Sequence, residues 1–535
     1  YCIDKIGFID EVKSFLSEIY QYNIRVEDIE AVIDHIDESD IINDKLYDIS
    51  IIYKAFVEYI KDNYVVSEEI LDILGQHLNQ SEIVAHSTIC FDGFTGFTPI
   101  QYKLIGELMK VAQDIKIAIT IDPDSYYKVD VKEHELFALS KETISKLIRL
   151  CKENRIEVDT PDICDSVNIA RFMGNGAMLH FEKNIFRYPY NVYNEEQDSV
   201  HLIVLRDRRS EAYYVARKIR YLVEKNGYQY KDIAVVSGNL EECSIYYPEV
   251  MDSFHIPYYV DTNTSINNNL CIETLRAIIN MIIKDFSYET VFRYMKSQMT
   301  NISQEEVEVL ENHVIKYGIR GYSTYTKKWE QENVDKIRST FIEEISDIYK
   351  VFQNHYLLGR EYIEGLYSFC VHLQMEQKLI KEVEIFDEKK DYVQSKIYSQ
   401  IYEKVITIFD KIIEILGDSS LTPEEFLEIL EVGFDTIDLG TIPPSLDQVI
   451  VGDIERTRLN HIKILFFIGV NDGVVPKGGS DTGILTDEDK NQLLTYGLAL
   501  APTNRENAYI EQLYLYLNMT KPEEQLYISY VQVDS

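Results

Sequence analysis

One tryptophan in 535 residues, seven cysteines with no CxxC pair among them, and no apolar run of 18 residues mark what this chain lacks. Each shortage excludes something. The cysteines, at 2, 90, 151, 164, 243, 271 and 370, supply no zinc or iron-sulfur ligand set by themselves and fit reduced thiols of a cytosolic protein. Without a long apolar run, or a basic segment leading into an apolar one, neither a membrane span nor a signal peptide is expected. No GxxxxGK[ST] loop occurs, so a nucleotide would lack its main phosphate cradle. Positive charge is scarce as well: 53 Lys+Arg stand against 90 Asp+Glu, a formal net charge of -37. That balance opposes indiscriminate attraction to phosphate backbones or anionic lipid, and leaves any such contact to a locally basic groove or a partner subunit.

What is present belongs to a soluble globular protein. Hydrophobic residues make up 45% and charged residues 27%, and 40 Tyr with 22 Phe supply large amphipathic side chains for cores and interfaces. The length suggests about three or four domains. The chain begins YCIDKIGFIDEVKSFL, without Met, and is read as a piece of something longer.

Residues 1–80 carry helical periodicity with acidic faces, broken by polar joints such as 37–40. At Ser81 the character changes. SEIVAHSTICFDGFTGFTPIQ reads as a strand, a glycine-containing loop and a helix from about Pro99 to Val111, and KIAITI at 116–121 as a further strand ended by Asp122-Pro123. After a mostly helical connection, SVHLIVLRD at 199–207, a helix over 211–227 capped by Gly227, DIAVVSG at 232–238 and HIPYYVD at 255–261 alternate as β-α-β-α-β. This order predicts a mainly parallel sheet. Residues from about 267 to 430 are almost wholly helical, and β signals return at 449–451, 461–476 and 523–534. The simplest architecture inserts the helices of 267–445 into the sheet begun at 199.

Chemistry concentrates in few places. An Asp with Gly at a strand end, as in Asp92-Gly93 before a helix, is where α/β folds place phosphate and magnesium chemistry; equally, it can be a tight turn in which the glycines only relieve sterics. Phe91, Phe94 and Phe97 either stack on bases of a single strand or fill a core. Arg206, Arg208 and Arg209 follow one strand, and Arg456 and Arg458 precede another; phosphate contact competes with salt bridging for each. No histidine sits at metal-ligand spacing, and no compact carboxylate arrangement of a nuclease core is present, so no metal site and no catalytic residue is assigned.

FDGFTGFTPIQ at 91–101, LENHVIKYGIRG at 310–321, GDIERTRLNHIKILFFIGVNDGVVP at 452–476 and GLALAPTNRENAYIEQLYLYLNMTKPEEQLYISY at 497–530 resemble the B subunit of the bacterial AddAB-type ATP-dependent helicase/deoxyribonuclease, a relative of UvrD-like superfamily 1 helicases. The resemblance covers essentially the whole chain. It implies an α/β fold with two RecA-like, P-loop NTPase-type parallel-sheet domains, each with a helical accessory domain. Accessory residues 1–80 would precede an incomplete first RecA-like domain at 81–195. The second would comprise 196–266 and 446–535, with 267–445 as the inserted helical domain. The phosphate loop would lie upstream and a nuclease domain with a 4Fe-4S cluster downstream.

The departures from an active helicase matter more. Asp92-Gly93 stands where an active member has Asp-Glu, so the carboxylate that would orient the attacking water is missing. Gly238 and Gln512 stand where arginines reach the phosphates, and Lys521 replaces the last arginine, keeping charge without the planar fork. Together with Gln101 these are the degenerate nucleotide-site positions. Candidate DNA contacts are Arg456, Arg458, Arg206, Arg208, Arg209, Phe94 and Phe97. The resemblance implies a cytoplasmic heterodimer with an A subunit, acting on double-stranded DNA ends and single-stranded DNA, with ATP and magnesium used by the complex. An active helicase, or an interaction scaffold that never touches DNA, are the alternatives.

Overall fold

The computed structural model describes residues 6–36, 41–60, 69–122, 132–164, 170–261, 269–389, 391–437, 447–455, 457, 459, 461–477 and 483–533. Two compact units emerge: Tyr1–Val260 with Asp447–Ser535, and Asp261–Leu446.

The first unit is built on a six-stranded parallel sheet. Its strands are β3 (Val200–Leu205), β4 (Ile233–Ser237), β5 (Tyr258–Val260), β6 (Val449–Asp453), β7 (Ile464–Ile468) and β8 (Gln525–Val531), in the spatial order β3-β8-β7-β4-β6-β5. Strands from both sides of the helical segment therefore share one sheet, as the apolar runs predict. Central β4 and β7 are buried at every residue, which explains why IAVVS and ILFFI read as continuous rather than alternating apolar runs. Alternation survives in which face each residue supplies. Ile233 and Val235 pack on the side of the helix Arg208–Asn226, while Ala234 and Val236 pack with Leu515 and Met519 of the helix Asn504–Met519. Full burial of Phe466 and Phe467 alone contributes roughly 1.5–3 kcal/mol each.

A second, two-stranded parallel sheet pairs β1 (Thr88–Phe91) with β2 (Asp114–Ile117), Phe91 opposite Ile117. Both strands are shorter than their sequence suggests. Ser81 accepts a hydrogen bond from the Val84 N–H and caps a helical turn over Glu82–Ala85, so SEIVA is helix and the strand starts only at Thr88. Among the described residues of 81–195 these two strands do not form a closed parallel set. The helices Ile6–Gln21, Val26–Ile33 and Ile41–Ile60 bury Phe15, Ile19, Leu46 and Tyr53 against Leu485, Leu493 and Leu498 from the far end of the chain. Lys45 and Asp489, 2.7 Å apart, tie the same segments together. The polar joint at 37–40 lies outside the described residues.

The second unit is helical, from Leu270–Ile283 to Pro423–Asp435, with one two-residue antiparallel pairing of Leu357–Leu358 and Ser420–Leu421. Its core includes Phe286, Phe341, Tyr325, Phe426 and Phe434. The single tryptophan, Trp329, is buried there and donates to the Thr324 carbonyl at 3.2 Å. Within this unit Glu344 is buried, accepting from the Tyr294 hydroxyl and the Asn301 N–H, both at 2.7 Å. Burial, offset by those two donors and by Lys378, pushes its carboxyl above the ordinary value.

Candidate functional site

Beyond β1 the chain makes an exposed turn at Asp92-Gly93. Gly93 has φ +76°, a left-handed conformation that a glutamate would adopt only under strain. Thr98 then caps the helix Pro99–Val111, with its N–H donating to Gln101 Oε1 at 2.9 Å, so Gln101 serves a capping box. The three phenylalanines pack mainly on one another. Phe94 stacks on Phe97 with centroids 5.2 Å apart, Phe91 meets both rings edge-on, and Phe94 keeps 38% of its surface exposed.

The opposing wall comes from the turn after β6 and the loop after β7. Asp453 N–H donates to Thr457 Oγ1 at 2.8 Å and Thr457 N–H returns to the Asp453 carbonyl, closing a turn so tight that any side chain at Gly452 would collide with Thr457. Arg456 and Arg458 lie outside the described residues. From β7 the chain runs through Val474 and Val475 to Lys477, whose N–H donates to Glu511 Oε2 at 2.8 Å and whose ammonium lies 3.4 Å from Glu455. Gly238 lies buried beneath this loop. A Cβ there would stand 2.5 Å from Val475 Cγ2 and 3.0 Å from the Val474 carbonyl oxygen, so any side chain, arginine included, requires the loop to shift.

Between these walls is a cleft of about 620 Å³, bordered by Thr95, Phe97 and Gln101 on one side and Glu455, Lys477 and Glu511 on the other. Tyr514 also lines it, its hydroxyl 3.2 Å from Thr95 Oγ1. Glu511 is buried and its Oε1 has no hydrogen-bond partner; burial, opposed by Lys477 and reinforced by Glu455, pushes its carboxyl above the ordinary range. Two carboxylates against one ammonium do not fit a triphosphate, whose charge calls for converging cations and N–H donors. Among the described residues no group of three or more His, Cys, Asp and Glu is placed to hold a metal ion. Gln512 is half-buried one position beyond Glu511, and Lys521 follows the same helix, its N–H bonded to the Asn518 carbonyl.

The other arginines gather at the start of the helix Arg208–Asn226, capped by Asp207, which accepts the Ser210 N–H at 2.8 Å. That hydrogen bond holds the Asp207 carboxyl below its ordinary value. Arg206 is exposed, and Arg209 reaches Glu249 at 3.2 Å. Arg208 instead turns inward, only 7% exposed, towards Glu211 and Asn471. Glu511, Lys477 and Glu211 escaped the sequence reading. Glu511 stood beside Gln512 in a quoted motif, but a lone carboxylate among 90 acidic residues carries no signal of burial.

The family described as ADDB, N-terminal, matches residues 2–182. The B subunit of the ATP-dependent helicase/deoxyribonuclease of Lachnoclostridium phytofermentans is 39% identical over 99% of this chain and 48% of its own length. The proteins of the same name from Clostridium novyi and Acetivibrio thermocellus are each 32% identical over 99% of this chain, covering 47% and 48% of themselves. The chain spans about half the length of the curated relatives it matches. Over essentially its whole length, the chain is homologous to the B subunits of bacterial ATP-dependent helicase/deoxyribonucleases.

Proposed function

We propose that this chain is a helicase-like, motor-inactive region of the B subunit of a heterodimeric ATP-dependent DNA helicase/exonuclease that processes double-strand ends for recombinational repair. Residues 81–195 and 196–266 with 446–535 act as two RecA-like domains, flanked by helical accessory regions at 1–80 and 267–445. They pass the 3'-terminated strand and inspect it for the recombination hotspot sequence, while the A subunit supplies unwinding. ATP, magnesium and a 4Fe-4S cluster belong to the full-length subunit or complex, in the cytoplasm. Supporting the DNA-processing role are the relatives' shared name and their identity along the whole chain.

One observation carries the motor-inactive reading: Gly238, the position expected to present an arginine to phosphates, is sealed beneath Val474 and Val475. Gly93 with φ +76° adds to it, because restoring the missing glutamate there would strain the backbone. Of the degenerate positions Asp92, Gly93, Gln101, Gly238, Gln512 and Lys521, Gln101 lines the cleft, whose charged groups are Glu455, Lys477 and Glu511. The single strand runs along Arg456, Arg458, Arg206 and Arg209, with Phe94 and Phe97 beside it; the buried Arg208 takes a supporting role.

Two measurements test this. Steady-state assays of the purified chain should find no DNA-stimulated ATP turnover; a rate above about 1 per second, where ordinary enzyme turnover begins, would refute motor inactivity. Salt titration of single-stranded DNA binding by the two-subunit complex should show the slope weakening by roughly 0.7 for each phosphate interaction that Arg456→Ala or Arg458→Ala removes. Unchanged slopes with lowered melting temperatures would withdraw these arginines from the DNA path.

A further inference from the structure

A buried polar group beneath the C-terminal ends of the six-stranded sheet has no part in the cleft itself. Glu211, in the helix Arg208–Asn226, is fully buried. Its Oε1 accepts the Gly469 N–H at 3.1 Å and the Ser529 hydroxyl at 2.6 Å, and its Oε2 makes no hydrogen bond but stands 3.7 Å from Arg208 Nη1. The same Nη1 donates to Asn471 Oδ1 at 3.3 Å. Asn471 in turn binds the Val531 backbone at both ends of its amide, accepting the N–H at 3.1 Å and donating to the carbonyl at 2.7 Å. Gly469 has φ +67°, and a Cβ on it would stand 2.5 Å from Cys243 Sγ and 2.9 Å from Arg208 Nη1. Every residue from 469 to 471 is therefore held, and six residues later the same loop provides Lys477 to Glu511 and Glu455.

A buried carboxylate is costly unless it is paired and hydrogen-bonded, and such pairs often add no more stability than well-packed hydrophobic residues of similar volume. We propose that Glu211 and Arg208 form a positioning latch for the loop 469–477, setting the Lys477–Glu455–Glu511 wall of the cleft from the sheet's strand ends. The latch has two anchors: the carboxylate on Gly469 and Ser529, and the guanidinium on Asn471. Val474 and Val475 lie between the latch and the wall and seat the loop on Gly238. With its first three residues fixed and this seat filled, the loop has little freedom to place Lys477 elsewhere. The latch concerns the chain's own loop and holds whatever occupies the cleft.

The test is amide hydrogen exchange, read by mass spectrometry, of the whole chain carrying Glu211→Gln. This near-isosteric variant keeps a carbonyl acceptor and removes the charge facing Arg208. Exchange across 470–477 is expected to rise about tenfold or more, with β4 and β7 changing less than threefold. Ser529→Ala, which deletes one anchor and leaves the charge, should produce a smaller rise in the same segment. An unchanged 470–477 in Glu211→Gln overturns the proposal. So does a rise spread evenly over β4, β7 and β8, which would make Glu211 an ordinary core residue.

Discussion

Replacing Gly238 by alanine tests the closure of the cleft most directly. The added methyl group would lie 2.5 Å from Val475 Cγ2 and 3.0 Å from the Val474 carbonyl oxygen, against an ordinary separation near 3.5–4.0 Å, with Ile454 Cδ1 at 3.8 Å behind it. One neighbour is backbone, so relief requires the loop to move. Overpacking of this kind costs about 1–3 kcal/mol. Gly238 is not among the residues with positive φ, so alanine adds no backbone strain and recovers roughly 0.4–1 kcal/mol by restricting the unfolded chain. A net loss of about 0–2.6 kcal/mol remains, centred near 1.3, which at the centre is a roughly ninefold increase in opening. Hydrogen exchange in peptides covering β4 and β6 should accelerate by that factor. Fluorescence of Trp329, the only tryptophan and part of the second unit, reports the urea midpoint of that unit alongside. Gly238→Arg, which restores the helicase-like residue, should be more damaging and should bring no ATP turnover. Exchange in Gly238→Ala within twofold of wild type would show that the loop yields freely and that the position is not sealed.

Further expectations concern single groups. Gly93→Glu should lose about 1–2 kcal/mol through its left-handed backbone, seen as faster exchange in β1, and should not create ATPase activity. Glu344 has a raised folded-state value, so its contribution to stability is full below the ordinary carboxylate range of about 4.3 and is lost as pH rises through the raised value. The urea midpoint reported by Trp329 should therefore fall more between pH 4 and about 7 in wild type than in Glu344→Gln; parallel curves would contradict this sign. Arg187 stands 3.0 Å from Asp122 and lies over the rings of Phe137 and Tyr516, so Arg187→Ala should destabilise the first unit by about 1–3 kcal/mol, and Arg187→Lys should recover only part of it. No measurable change in Arg187→Ala would reduce these interactions to surface decoration.

Much of this architecture is legible in the sequence because periodicity and punctuation are local. The helix Pro99–Val111 follows from a Thr-Pro-x-Gln start, and Gly227 with φ +76° ends the helix Arg208–Asn226 where glycine is needed. Apolar runs such as ILFFI have no comfortable place outside a sheet, which is why β7 and its partners across the helical insertion were predictable as one sheet. The motifs at 91–101, 310–321, 452–476 and 497–530 together likewise carry the resemblance to these B subunits. Strand ends were less legible: SEIVA and AITI have strand composition, but a serine cap makes the first helical and, among the described residues, the strand pairing of β2 stops at Ile117.

Other properties depend on what meets across hundreds of residues, and local pattern is blind to that. The spacing of Arg206, Arg208 and Arg209 made one charge cluster. Packing sends Arg208 inward to Glu211 and Asn471 and leaves Arg206 and Arg209 outside. Leu485, Leu493 and Leu498 look like an ordinary apolar stripe, yet they complete the core of helices that begin at residue 6. Gly238 in the sequence is only a missing arginine. The absence becomes a closed door because Val474 and Val475, more than 200 positions later, occupy the space a side chain would need. Burial and close approach are properties of the folded chain as a whole, and they turn a substitution pattern into a physical constraint.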